Sequence, residues 1–187
     1  PFYLEGVLGY GPRQVGFLVA AVPILLGVTA PISGLLSDRY GTRLIASIGL
    51  AILVGGYLAM SRFTAQTNLT YYLIAVLPFG AGMGTFQSPK NSHVMGAVPR
   101  NKLGIASGLL AITRTLGQTT GIAVLGAFWA ARVMVYAGEV VEGGATAASI
   151  QAQVAGLQDT FTVIAAFIGL TFLLSLYALW QERKQQR

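Results

Sequence analysis

The chain has 187 residues, of which 54% are hydrophobic and only 10% charged, with a mean hydropathy of +0.65; an ordinary globular domain is about 25% charged, so too few charges are present to cover a water-facing surface. The net charge of +6 would suggest nucleic acid in a soluble protein, but the basic residues stand singly at the ends of apolar runs, a pattern that sets membrane topology and gives no nucleic-acid partner. The absence of cysteine and the single histidine exclude disulfides, thiolate metal sites and multi-histidine metal sites, so no cofactor is implied.

Residues 1–9 predict the last turns of a helix, closed by the turn residues Gly9 and Gly11 and by Pro12, whose nitrogen cannot continue the hydrogen-bond ladder. The first residue is Pro1 and the first apolar stretch is short, without a targeting region, which suggests a C-terminal fragment. Five apolar runs near the roughly 20 residues that cross a bilayer follow. They predict an all-α, polytopic transmembrane bundle with spans at about 13–36, 44–60, 69–89, 103–131 and 160–180. Pro23 and Pro31 predict a bent first span, since prolines are tolerated in lipid when neighbours satisfy the freed carbonyls. Between the first two spans lies a charged loop at 37–43, within the polar run Gly34 to Arg43. In the third span Gly80 and Gly84 fall on one face, where another helix can come close. A polar connection with Lys90, His93, Arg100 and Lys102 precedes the fourth span. The loop at 132–159 is long and acidic, with a short surface helix expected within Ala145 to Leu157, and a basic tail covers 181–187.

Each span reverses the chain, so the basic residues fall on alternate sides. Arg39, Arg43, Lys90, Arg100, Lys102, Arg183, Lys184 and Arg187 share one side, and only Arg13, Arg62 and Arg132 occupy the other. The richer side is expected to be cytoplasmic, which places the loop at 37–43 and the C-terminus inside the cell and the acidic loop outside. The aromatic residues Tyr71, Tyr72, Tyr177 and Trp180 near span ends fit an interfacial belt.

Arg114 lies about ten residues after Gly104, roughly 15 Å along the helix axis and near the middle of a core about 30 Å thick. A guanidinium costs about 2.5–3.5 kcal/mol there on insertion scales, so it should face a bundle interior or a watery cavity. No carboxylate of this chain lies at that depth. A backbone dipole, a bound anion or substrate, water, or a residue from outside the chain would have to serve as its partner. Ser107, Ala111, Arg114, Gln118 and Gly121 recur every three or four residues and form a polar, small-residue stripe. This stripe is either the lining of a transport pathway, with Arg114, Gln118 and Ser107 as its polar members, or a helix-packing face with Arg114 in a structural ion pair. Glu5, the acidic residue of the truncated first helix, is a possible proton carrier or an interfacial residue facing water. Lys90 and His93 are expected to be solvated at the end of their span. A membrane-embedded enzyme is disfavoured, because no buried cluster of nucleophile, base and acid appears.

The pattern Gly34-x-x-Ser37-Asp38-Arg39-x-Gly41-x-Arg43 resembles the loop signature of the major facilitator superfamily. The opening run from Pro1 to Pro12 and the stretch Gly104-Ile-Ala-Ser-Gly-Leu-Leu followed by Thr113-Arg114-Thr-Leu-Gly-Gln118 are similar to the C-terminal half of its fourteen-span drug:proton antiporters. The resemblance implies the second half of a two-bundle fold: the end of one helix and the final five, working with a missing N-terminal transmembrane half. It also implies a multi-pass protein of the cell membrane that exports small amphipathic molecules, cationic or neutral, by alternating access, with the proton gradient as energy source. Gly34, Asp38, Arg39, Gly41 and Arg43 would form a cytoplasmic gating loop. A non-transporting sensor or scaffold on the same bundle is the alternative.

Overall fold

The computed structural model describes residues 3–139 and 141–185, with the backbone alone for His93, Glu182, Arg183 and Gln185. The expectations for the His93 and Arg183 side chains and for Arg187 therefore fall outside the described residues. Every described regular element is helical. A π-helical turn, Tyr3–Val7, is followed by α1 (Pro12–Tyr40), α2 (Thr42–Met60), α3 (Leu69–Gly96), α4 (Leu103–Ala137) and α5 (Ile150–Gln185), with short 3-10 turns at Arg100–Lys102 and Ala145–Ala147. All five helices are long and apolar enough to cross a membrane.

Local chemistry sets several of the helix ends. Pro12 opens α1 in the first turn, where its missing N–H is no loss. The Asn68 side-chain oxygen accepts the Tyr71 N–H at 2.8 Å and caps α3. Gly138, at φ +76°, ends α4 with its N–H returned to the Met134 carbonyl.

The helices outrun the expected spans. The segment expected to be a loop at 37–43 is helical apart from Gly41, which turns the chain between α1 and α2 at φ +93°. The third helix continues through Pro89 to Gly96. The expected loop at 132–159 shrinks, because α4 reaches Ala137 and α5 begins at Ile150; the surface helix expected there is a 3-10 turn followed by the first turns of α5.

Packing follows the order α1, α3, α2, α5, α4, with α3 laid between α1 and α2 and only lightly touching α4. Glycines on α3 permit this. Gly80 and Gly84 meet the α1 backbone at Val22 and Leu26, while Gly82 meets Leu53 and the Gly49 carbonyl of α2. Ser33 of α1, nearly fully buried, donates to the Gly84 carbonyl at 3.0 Å. Near the Tyr3 end, Phe63 is the hub of an aromatic cluster. It stacks on Tyr3 at 5.0 Å and on Tyr72 at 5.7 Å, and meets Tyr71 and Phe161 edge-on. Tyr71 and Tyr72 thus turn into the bundle rather than toward a lipid interface, whereas Tyr177 and Trp180 are exposed and stacked on each other. At the opposite end the Ser47 and Ser175 hydroxyls join α2 to α5 at 2.6 Å.

Candidate functional site: a groove between α3 and α4

The N-terminal half of α4 stands away from the rest of the bundle, and nearly every residue from Gly104 to Thr120 is exposed. Between it and the last turns of α3 lies a groove of about 710 Å³, within the few hundred to 1,000 Å³ range of small-molecule sites. From α4 it is lined by Ser107, Leu110, Ala111, Thr113, Arg114, Gly117 and Gln118, and from α3 by Met83, Phe86, Gln87, Lys90, Asn91 and Met95. The three residues expected on a polar pathway, Ser107, Arg114 and Gln118, therefore share one concave surface. Gly121, the last member of the expected stripe, lies on the adjoining α4 surface with Gly117 and Val124.

The polar groups in the groove differ in how they are satisfied. Ser107 donates to the Gly104 carbonyl of its own helix at 2.9 Å. The Gln87 amide lies 3.9 Å from the Met83 sulfur, a weak acceptor. Lys90 places its ammonium 5.8 Å from the centre of the Phe86 ring, within cation–π range. Arg114, Gln118 and Asn91 have no hydrogen-bond or ion-pair partner among the described residues.

Lys90 is exposed, and it also lines the groove because α3 does not stop at Pro89. The signal available in the sequence was Phe86-x-x-x-Lys90, a pair four apart that shares a helix face.

The residues expected to form one gating loop are spread over three contacts. A Cβ on Gly34 would come within 3.2 Å of Ser88 Oγ, so this glycine serves the approach of α1 to α3. Arg43 donates from Nη1 to the Ala178 carbonyl of α5 at 3.5 Å. Arg39 lies over the neighbouring Tyr40 ring at 5.5 Å, and Asp38 is exposed. Glu5 is exposed on the π-helical turn.

Sequence reasoning did not find a clasp between α4 and α5. Arg132 Nε donates to Asp159 Oδ2 at 2.6 Å, and Tyr136 donates to the same oxygen at 3.0 Å. Close by, the Trp129 indole donates to the Gln153 carbonyl at 3.2 Å, and Gly156 lets Val133 approach. Arg132 and Tyr136, four apart on a helix, with a carboxylate on the next helix, were the available signal.

Five helices long and apolar enough to cross a membrane, with a groove open between two of them, point to a multi-pass membrane protein. The sequence profile of the Major Facilitator Superfamily matches residues 1–187, and the chain belongs to that family of transporters. It is 32% identical over 130 residues to the riboflavin transporter RibZ of Clostridioides difficile, covering 70% of this chain and 28% of that protein. It is 35% identical over 128 residues to a tetracycline resistance determinant of Streptomyces rimosus, covering 67% of this chain and 36% of that protein. The multidrug resistance protein Stp of Mycobacterium tuberculosis is 32% identical over 129 residues, 69% of this chain and 24% of its own length. The matched region thus spans about a quarter to a third of each of these relatives.

Proposed function

We propose that this chain is the C-terminal bundle of a secondary active transporter that exports small amphipathic molecules by alternating access, driven by the proton gradient. The observation that carries the proposal is the setting of Arg114, which opens with Gln118 and Ser107 into a groove and has no ion-pair partner among the described residues. A mid-membrane guanidinium without an internal partner is expected where water, substrate or a titrating group of an opposing bundle comes to meet it. The riboflavin transporter and the tetracycline- and multidrug-resistance relatives support transport of drug-sized molecules.

In this mechanism the groove faces the N-terminal bundle, and rocking of the two bundles exposes it to each side in turn. Gly34, Asp38, Arg39, Gly41 and Arg43 gate the cytoplasmic side, and Glu5 is a candidate proton carrier. Orientation follows the distribution of basic residues, with the C-terminus in the cytoplasm.

The test places Arg114→Ala and Arg114→Lys in the complete protein and follows pH-gradient-driven dye efflux in everted vesicles. Arg114→Ala is expected to lower transport by about tenfold or more, the scale of one lost charge-assisted contact, with Arg114→Lys partly active. Unchanged transport in both variants at equal expression overturns the pathway role.

A further inference from the structure

The two charged side chains that line the α3–α4 groove, Lys90 and Arg114, are both cations. No carboxylate among the described residues of this chain lines the groove with them. Neither α3 nor α4 contains an aspartate or glutamate, and no acidic residue occurs anywhere between Asp38 and Glu139. The rest of the lining includes neutral polar groups, among them Gln87, Asn91 and Gln118, and soft apolar ones, among them Met83, Phe86 and Met95. Methionine and phenylalanine offer adaptable, polarizable contact to a flat or irregular apolar body. Guanidinium and ammonium groups offer charge-assisted hydrogen bonds to an oxyanion, and the planar guanidinium can hold a carboxylate through two parallel bonds.

We propose that the groove takes small amphipathic organic anions, with the acidic group held by Arg114 and Lys90 and the apolar body laid against Phe86 and the two methionines. This rests on the groove being the substrate site of the proposed transporter, and it replaces the cationic or neutral substrate that family resemblance implies with an anionic one. A lipophilic cation entering the same groove would meet two like charges, a repulsion that is weakened by salt because both groups are exposed. Arg114 is the mid-span anchor on α4. Lys90, on the exposed end of α3 and half engaged with the Phe86 ring, is the outer one, positioned to leave that ring for an incoming oxyanion.

The experiment uses the full-length protein in nanodiscs and a pair of probes of matched shape, 2-naphthylacetate and 2-naphthylmethyl-trimethylammonium. Binding is read by calorimetry at low and moderate salt, and uptake is read separately in proteoliposomes. The anion is expected to bind about tenfold or more tightly than the cation, with the preference falling as salt rises. Lys90→Gln and Arg114→Gln are each expected to weaken anion binding by about tenfold and to leave the cation unchanged or improved, while Arg114→Lys keeps the preference for the anion. Because Lys90 is exposed, its variant serves even if Arg114→Gln fails to fold. A cation that binds as well as the anion, a preference unaltered by Lys90→Gln, or binding of neither probe overturns the charge assignment. Anion that binds with the stated charge dependence but is not carried into proteoliposomes upholds the assignment and instead defeats the transport function.

Discussion

At Gly84 a methyl group would come within 2.9 Å of the Leu26 carbonyl oxygen and 3.1 Å of the Ala30 nitrogen. Backbone cannot swing aside as a side-chain tip can, so Gly84→Ala should force α1 and α3 apart. The expected loss is about 1–3 kcal/mol, the usual range for overpacking. Gly55→Ala, on an α2 surface with nothing within 4 Å, should be neutral or stabilising by up to about 1 kcal/mol. Thermal unfolding of the purified full protein, followed by size-exclusion fluorescence, distinguishes the two. The Gly80 and Gly84 face was legible from spacing alone, because small residues four apart have one geometric meaning on a helix. Arg114 was legible for a different reason: a charge in the middle of an apolar run must be accommodated by something. Lys90 was not, since Pro89 before it reads as a helix stop, and only the packed structure shows the helix passing through a nearly fully buried proline.

Whole helices carry a second layer of meaning. α1 has 29 residues and α5 has 36, which at 1.5 Å per residue is roughly 43 and 54 Å, well beyond a hydrocarbon core of about 30 Å. Charge and proline mark where a helix leaves the apolar layer, not where it ends. That is why the expected span limits fall short of the helices while the number and order of the long helices agree. The junction at Gly41 has φ +93° and ψ 139°, a conformation that side chains tolerate poorly, so Gly41→Ala should cost about 1–3 kcal/mol and lower the thermal midpoint of the full protein. At the other end, Arg132→Asp or Asp159→Arg alone should loosen α4 from α5. The double exchange should recover most of the thermal midpoint and of the protection of residues 150–159 in hydrogen exchange. Equal loss in the double variant would show that the clasp acts through packing at Val133 and Gly156 rather than through charge.

At the level of the whole molecule, the arrangement of alternating helices can be tested directly, because the chain has no cysteine of its own. Ser37 and Ala145 are both buried and unsuitable for labelling. Tyr40 and Thr146 are exposed at opposite ends. In intact cells an impermeant thiol reagent should label Thr146→Cys and spare Tyr40→Cys until the membrane is opened; the reverse pattern would invert the topology. The class of fold was legible because hydrophobic length and basic asymmetry follow from the lipid solvent itself. The pairing order of the helices was not, since five antiparallel helices can be assembled in many orders and only the side-chain contacts distinguish them. One of those contacts has a mechanical consequence. Because α4 is clasped to α5 through Arg132, Trp129 and Val133 and is little packed against the other described residues from Gly104 to Thr120, it has the shape of a cantilever within this chain. From Arg132 to Gly104 the arm is roughly 42 Å long at 1.5 Å per residue, so a tilt of about 10° at the root moves its tip by about 7 Å. The root would fix the angle of this arm, and the width of the cationic groove would be read out at the other end.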